Sequence, residues 1–378
     1  MMETGAPWTS ADPSTRGMQE PTVRAVLLLA VLSSVLFVIV IASLTSYSGL
    51  VDRFGDSFGY MTVASAIRRW NFQGLLVKQF WGLPYAMAAI SLATRISDRS
   101  ALLLMSFVPF LIAVTLAYRL WGGWIAALFA VINFDWTQRS CLGGSEPLFV
   151  ALLFGSFLAV RRAHWWLAAL LAAVATIVRP LGFFALLGIG LVLLLRRDYR
   201  RLIHAALVAL LVGILYSLPL AIERGDPLAT VHSYQSAGQT GPALFGIPFY
   251  AIIKGTLLYP APWTNLLLTF GWILFVLAGT IAMASTRSFH AYARSHQVEI
   301  IFAALYLLSL FSYNSPYFAR GNFSRFAIPI VPFILLALNR WVPKDRRLLW
   351  GLAIICPVLA AASAIGIRDL AAILHPIR

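Results

Sequence analysis

Two carboxylates, Asp52 and Asp56, follow the first long apolar run of the chain, and apolar residues recur at helical spacing from Tyr60 to Trp70. A carboxylate within hydrogen-bond reach of a hydroxyl can act as a general base. An alternative is that Asp56 or Ser57 only caps the amphipathic helix that follows, which leaves Asp52 unexplained. The two roles are compatible, so the stretch predicts the front of an active site with both acids as candidates.

A third candidate acid, Glu146, lies in the sequence GGSEPLF, where an apolar run begins. If this apolar run spans a membrane, a carboxylate at its end raises the free energy of the folded protein unless it is hydrated, paired with a cation or needed for function. Glu146 is therefore either a functional group, a hydrated boundary acid or a cap for the helix that starts at Pro147. Asp135, at the end of the preceding apolar run, is predicted to be a hydrated loop acid.

Arg179 lies in the sequence ATIVRPLGFF, between two apolar runs. Its side chain either snorkels to the membrane interface or binds an anion. The planar guanidinium suits phosphate, because it contacts two oxygens at once. Phosphate binding and snorkelling both remain open at this point.

The motifs of several enzyme classes are absent from the chain. No Walker loop, HExxH helix or G-x-S-x-G turn is present. The two cysteines, Cys141 and Cys356, suggest neither a disulfide framework nor a metal cluster. With no Asp-x-Asp pair either, no essential metal and no cofactor is expected, although a divalent cation is possible.

The composition is that of an integral membrane protein. The chain has 378 residues, of which 60% are hydrophobic and 11% charged, and its mean hydropathy is +0.82. No soluble domain of this size needs so much apolar surface or can bury it. The net charge of +15 is explained by basic residues in cytoplasmic loops rather than by nucleic-acid binding.

Apolar runs of spanning or nearly spanning length recur along the chain and predict an all-α, polytopic fold with about eleven transmembrane helices. The runs are 25–44, 100–117, 120–134, 147–160, 163–178, 180–195, 202–222, 264–284, 300–319, 326–339 and 348–367.

The distribution of basic residues orients these spans. If 83–94 lies along or partly in the outer surface instead of crossing, fifteen of the twenty-nine Lys and Arg residues fall in short inner segments, as the positive-inside rule requires. The N-terminus is then cytoplasmic. Arg320 and Arg325 fall on the outer side, where basic residues are disfavoured, which suggests that they bind an anionic group.

The same topology divides the chain into a flexible cytoplasmic tail at 1–23 and a single transmembrane domain at 24–378. Residues 46–99 form an outer loop with amphipathic surface helices. Residues 223–263 form a second large outer loop, which contains Lys254. The acids Asp52, Asp56 and Glu146 all lie at the outer face in this arrangement.

Five short segments, in order, resemble motifs of the GT-C superfamily of membrane glycosyltransferases, which use lipid-phosphate sugars. The resemblance covers about residues 25–342 and includes the dolichyl-phosphate-mannose mannosyltransferases, the GPI mannosyltransferase V type and the bacterial aminoarabinose transferases. Leu181 stands where that superfamily usually has an acid. The segments are Asp56-x3-Tyr60-x3-Ala64 (first-loop acid motif), Leu83-Pro84-Tyr85 (Pro-Leu-Tyr segment), Ser145-Glu146-Pro147-Leu148-Phe149 (second acidic motif, closely like that of the GPI mannosyltransferase V type), Arg179-Pro180-Leu181-Gly182 (Arg-Pro-Glu-Gly turn) and Arg325-Phe326-Ala327-Ile328-Pro329 (Arg-Tyr-x-x-Pro segment).

The resemblance implies transfer of a sugar, mannose or similar, from a polyprenyl-phosphate donor to a glycan, lipid or protein acceptor on the extracytoplasmic face of a plasma, inner or endoplasmic-reticulum membrane. It implies a catalytic first-loop acid, for which Asp56 is the matching position and Asp52 the second choice. Glu146 joins Asp56 as a catalytic candidate. The expected substrate-binding residues are Asp52, Tyr60, Arg179, Lys254, Arg320 and Arg325.

A secondary transporter or lipid-sugar flippase is the main alternative. Such proteins usually contain inverted repeats and broken helices with polar groups near the middle of the membrane. Here the acids lie at the outer ends of predicted spans and in outer loops, which favours an enzyme. A scaffold without chemistry leaves the grouping of acids and arginines unexplained.

Overall fold

The computed structural model describes residues 20–72, 79–237, 245–259 and 263–374, and every regular element in these ranges is helical. An isolated β-bridge joins Phe245 to Tyr313. The predicted all-α class is confirmed. The predicted tail at 1–23 lies outside the described residues as far as residue 19.

The α-helices of the described ranges, numbered in chain order, are α1 Val23–Leu44, α2 Tyr47–Arg53, α3 Ser57–Arg69, α4 Gly82–Thr94, α5 Asp98–Trp121, α6 Gly123–Val131, α7 Phe134–Leu142, α8 Glu146–Arg161, α9 Trp165–Val178, α10 Phe183–Leu195, α11 Tyr199–Arg224, α12 Ala229–Ala237, α13 Tyr250–Leu258, α14 Trp263–Ser285, α15 Arg287–Ser295, α16 Gln297–Ser312, α17 Pro316–Gly321, α18 Phe323–Ala327, α19 Val331–Ala337 and α20 Arg346–Leu374. Short 3₁₀ segments, Pro180–Gly182 and Ile328–Ile330, precede α10 and α19.

Within the residues that the structure describes, five segments are long and apolar enough to cross a membrane, and the number rises to seven if two sharply bent helix pairs each count as one span. The chain is therefore a multi-pass membrane protein by length and composition. The eleven predicted spans are not shown, because several of the apolar runs form shorter helices. At about 1.5 Å per residue, the fourteen residues of α9 reach about 21 Å, less than the ~30 Å of a hydrocarbon core. The five segments are Val23–Leu44, Asp98–Trp121, Tyr199–Arg224, Leu267–Ser285 and Arg346–Gly366.

Three helices occupy the segment after α1, where amphipathic surface helices are predicted. The first turns of α3 bury Tyr60, Val63 and Ala64, whereas its last turn carries Arg68 and Arg69. This pattern is the apolar stripe expected from the sequence. The helix ends at Trp70, whose φ of 50° is left-handed.

The doubtful segment 83–94 forms α4, a helix of thirteen residues that packs on α3, α5 and α9. Its first residue, Gly82, lies so close to α9 that a Cβ there would be 2.6 Å from the backbone oxygen of Ile177. Glycine is therefore required for this approach, because any side chain would push the two helices apart.

Helix α7 differs most from the expectation. The sequence predicts Asp135 to be a hydrated loop acid, but 134–142 form a helix that is buried along most of its length and meets α8 at 108°. Its polar residues Thr137, Gln138 and Ser140 are no more than 2% exposed. Asn133 caps the helix by accepting from the backbone N–H of Trp136 at 3.1 Å. The bend brings a polar helix under the start of α8 instead of leaving it in water.

A buried ionic network binds the C-terminal end of α8 to α15 and α16. Arg161 forms a two-pronged ion pair with Glu299 on α16, through Nε at 2.7 Å and Nη2 at 2.9 Å. Tyr292 on α15 donates to Glu299 and accepts from Trp121 Nε1 at 2.7 Å. These contacts fix the direction of α8, whose first residue is Glu146.

Candidate functional site

Four of the predicted residues meet at one place: Asp56, Glu146, Arg179 and Arg325, which we call the acid–arginine cluster. Each comes from the end of a helix or from a short helix. Asp56 precedes α3, Glu146 begins α8, Arg179 follows α9 and Arg325 lies in α18. Helix ends place side chains at the rim of a bundle, so the cluster lies where several helices end together.

Two serine contacts position the acid-bearing turns. Ser57, the residue after Asp56, donates to the backbone oxygen of Leu142 at 3.3 Å, which joins the start of α3 to the end of α7. Ser106 on α5 accepts from the backbone N–H of Gly144 at 3.1 Å, which fastens the turn before α8 to α5. The Ser57 contact thereby brings Asp56 near the turn that carries Glu146.

Arg325 is fixed from both sides of its own backbone. Asn133 donates its amide to the backbone oxygen of Ser324 at 2.9 Å, and the Tyr306 hydroxyl donates to the backbone oxygen of Phe326 at 2.8 Å. The flanking residues are thus anchored by buried side chains of two other elements. Such anchoring fixes the backbone from which the Arg325 side chain extends, and the two acids bind the guanidinium at its end.

Glu146 binds both arginines of the cluster. It is 1% exposed, and its Oε1 accepts from Arg179 Nη1 at 2.5 Å and from Arg325 Nε. The hydrated boundary acid considered for Glu146 is therefore wrong. Snorkelling is also wrong for Arg179, since its side chain is 16% exposed and bound to a buried carboxylate.

Arg325 connects the two acids. Its Nη2 donates to Asp56 Oδ2 at 3.0 Å while its Nε donates to Glu146. The Asp56 side chain remains 39% exposed, in contrast to 2% for Glu146. Asp56 is therefore the accessible carboxylate of the pair, and Glu146 is the buried one.

The carboxylate of Asp56 is not used to cap α3. Asp56 occupies the N-cap position, but its side chain makes no capping hydrogen bond. Burial raises the pKa of this carboxyl, and the neighbouring Arg325 and Arg139 guanidiniums lower it by more, so its pKa lies below the ordinary value. Asp56 is thus held as an anion by the arginines.

Tyr60 takes part in the site through a hydroxyl relay. Its OH donates to Ser145 Oγ at 3.1 Å, and Ser145 Oγ also accepts from Arg179 Nη1 at 3.3 Å. Burial, with the nearby charges of Asp56 and Glu146, raises the pKa of Tyr60 to about 12. The phenol therefore stays protonated and acts as a donor.

Two residues of α7 that the sequence prediction did not select also belong here. Asp135 is 9% exposed and accepts a hydrogen bond from Ser324, next to Arg325, so it is not a hydrated loop acid. Arg139 is 5% exposed and lies over the Phe54 ring at 4.5 Å. Their four-residue spacing within an otherwise apolar chain is a helical signal that could have identified them.

Asp52 lies in a different contact. Its carboxylate forms an exposed ion pair with Arg99, with Arg99 Nε at 2.8 Å from Oδ1. Pairs of this kind contribute little stability. Among the described residues, the cluster contacts involve Asp56 and not Asp52.

Lys254 and Arg320 lie on a neighbouring helix pair, α13 and α17. Gly255 allows the two helices to touch, since a Cβ there would be 3.2 Å from Arg320 Cβ. Lys254 is exposed, with Nζ 5.5 Å from the centre of the Tyr250 ring. Arg320 has a buried Nε without a hydrogen-bond partner in the described part of the chain. Neither cation has a recorded ion pair with the described acids.

A cleft of about 400 Å³ opens elsewhere, beside Trp165, Trp166 and Arg200 at the junction of α9 and α11. It contains no member of the acid–arginine cluster. Within the ranges described, no three His, Cys, Asp or Glu side chains are placed to hold a metal ion.

The chain matches no family model, no curated protein and no solved structure.

Proposed function

We propose that the protein is a membrane glycosyltransferase that moves a sugar, mannose or similar, from a polyprenyl-phosphate donor to a hydroxyl of a glycan, lipid or protein. The observation that carries the proposal is the bridge of Arg325 between an accessible carboxylate, Asp56, and a buried one, Glu146. Such a site offers a proton acceptor, the Asp56 carboxylate, in direct contact with a fixed positive charge, the Arg325 guanidinium. These are the two groups that sugar transfer from a phosphate requires.

Asp56 acts as the general base toward the acceptor. The acceptor oxygen bonds to the sugar carbon while the bond from that carbon to the phosphate oxygen breaks, and its electron pair stays on the phosphate. The acceptor proton passes to Asp56. Because the arginines keep the pKa of Asp56 low, transfer of the proton comes late, when the attacking hydroxyl has become acidic. A single displacement with one base gives inversion at the sugar carbon.

The leaving group is a lipid phosphate with a second pKa of about 6, so it needs little help from a general acid. Its developing charge is stabilised by the guanidiniums of Arg179 and Arg325, with Arg320 or Lys254 assisting. Glu146 holds Arg179 and Arg325 in place, and Tyr60 supports Arg179 through Ser145. No cofactor enters this scheme.

The finer topology belongs to the same proposal. Eleven spans with a cytoplasmic N-terminus put 46–99, 223–263 and the cluster on the extracytoplasmic face. The bias of basic residues toward short inner segments supports this orientation. The lipid tail of the donor reaches the site laterally, between helices.

The pH dependence of transfer follows from the charge on Asp56. A carboxyl whose folded pKa is depressed stays ionised above its ordinary pKa and loses its charge, and its share of stability, only as the pH falls through the folded value. We therefore expect kcat/KM to show no Asp56 inflection between pH 5 and 8, with the acidic limb below about pH 4. An inflection near neutrality that is absent in Asp56→Asn would contradict the assignment.

A transporter or lipid-sugar flippase is the second candidate, and the sharp bends support it. Helices α7 and α8 meet at 108° and α15 and α16 at 115°, and broken helices are common at transporter sites. An experiment in sealed vesicles that contain purified protein and labelled polyprenyl-phosphate sugar distinguishes the two functions. Glycosylated acceptor supports the transferase. Counter-transport of the donor without a glycosylated product supports the flippase.

A further inference from the structure

Arg139 is the buried cation that the mechanism above leaves unused. Its side chain comes from α7, and the residue is 5% exposed. Its Nε and Nη1 are buried without any hydrogen-bond partner in the described structure. A buried charged donor without a partner is costly, and natural proteins rarely retain one without a reason.

The surroundings of Arg139 place it between the two acid-bearing turns. A Cβ on Gly55, the residue before Asp56, would lie 2.5 Å from Arg139 Nη1. A Cβ on Gly144, two residues before Glu146, would lie 2.7 Å from Glu146 Oε2 and 2.8 Å from Arg139 Cδ. The two glycines let the backbone approach the guanidinium, and Gly55 also has a φ of +51°.

The distribution of ion pairs distinguishes Arg139 from the other two arginines. Arg179 and Arg325 are both bound to Glu146, and Arg325 is also bound to Asp56. Arg139 has no carboxylate within ion-pair distance among the described residues, and the closest ring is that of Phe54. It therefore supplies positive charge that the protein's own acids do not bind directly.

We propose that Arg139 also binds the phosphate of the lipid-linked donor, beside Arg179 and Arg325, whose guanidiniums are partly engaged by Glu146 and Asp56. This inference rests on the proposed function, because it takes the phosphate from that donor. A phosphate has several strong acceptor oxygens, and a guanidinium binds such oxygens with charge-assisted hydrogen bonds. Since Arg139 Nη1 lies against Gly55, the residue before Asp56, a phosphate bound to Arg139 keeps the sugar carbon next to the base.

The test measures binding and does not depend on turnover. Purified wild-type protein and Arg139→Gln are titrated in detergent with a short-chain polyprenyl phosphate and, separately, with the uncharged polyprenol of the same length. Arg162→Gln is the matched control, because Arg162 is an exposed arginine beyond the other end of α8. We expect Arg139→Gln to weaken phosphate binding by roughly tenfold or more, the loss of one charge-assisted contact. Polyprenol binding stays unchanged, and Arg162→Gln binds both lipids like the wild type.

Two results overturn the inference. Phosphate binding by Arg139→Gln at the wild-type affinity removes Arg139 from the phosphate site, while the glycosyltransferase proposal stands if the wild type still transfers sugar. An equal loss for phosphate and polyprenol means that Arg139 only maintains the fold.

Arg139→Lys covers the case in which the glutamine variant does not fold. It keeps the charge but loses the planar set of donors, so its phosphate affinity falls while its polyprenol affinity holds. Unchanged phosphate affinity in this variant contradicts the proposal. If the wild type binds neither lipid, the donor class itself is wrong, and this assignment falls with it.

Discussion

Replacement of Asp56 by Asn is expected to lower the rate of sugar transfer by about 10²–10⁴-fold, the usual contribution of a general base. The amide keeps the shape of the side chain and can still accept a hydrogen bond from Arg325 Nη2. It cannot take up the acceptor proton. The measurement is the initial rate with labelled polyprenyl-phosphate sugar and saturating acceptor, on protein that elutes as wild type in gel filtration.

Asp52→Asn is the matched control for this experiment. Asp52 lies four residues earlier, also precedes α3, and is paired with the exposed Arg99. We expect its rate to stay within about twofold of wild type, because exposed pairs contribute little. Wild-type transfer by Asp56→Asn would exclude Asp56 as the base, and a loss in Asp52→Asn alone would transfer the role to the second acid.

Replacement of Glu146 by Gln is expected to cost about 3–5 kcal/mol of unfolding free energy, the usual effect of removing one partner from a buried ion pair. The glutamine leaves the guanidinium of Arg179 without a carboxylate and that of Arg325 with Asp56 alone, although the two side chains are only 16% and 11% exposed. The measurement is denaturant unfolding in micelles, with the thermal midpoint as a second readout.

A double variant tests the cause of this loss. Adding Arg179→Met to Glu146→Gln removes one of the stranded charges and replaces it with an apolar side chain, so the double variant is expected to be more stable than Glu146→Gln alone. A penalty for Glu146→Gln no larger than that for Asp52→Asn would show that the cluster is more hydrated than its burial implies. Strict additivity of the two substitutions would show that Glu146 and Arg179 are not coupled.

The sequence pointed to four residues that meet in the acid–arginine cluster because charges are scarce in it. Asp56, Glu146, Arg179 and Arg325 each interrupt or border an apolar run, where a charge is costly and therefore informative. Four of the eight predicted site residues form one cluster, and Tyr60 joins them through Ser145. Asp52, Lys254 and Arg320 have no described contact with that cluster, since local sequence does not reveal which partner a charge finds.

Two residues of α7 show where the sequence-based prediction failed. Asp135 and Arg139 were passed over because a polar stretch between two apolar runs is usually a loop outside the membrane. Here that stretch folds into a buried helix, which Asn133 caps and in which Gln138 donates to the backbone oxygen of Ala360 on α20. The four-residue spacing of Asp135 and Arg139 indicates a helix, but nothing in the local pattern shows that other helices enclose it.

By itself, the sequence determined that the chain is a helical multi-pass membrane protein and which few charges it carries at the ends of its apolar runs. Length and hydrophobicity suffice for this, because a bilayer allows few other solutions. The tertiary structure alone decided which charges meet. Arg325 and Asp56 are 269 residues apart in the chain, and only the packing of the helices that carry them sets whether they lie within hydrogen-bond distance or on opposite sides of the bundle.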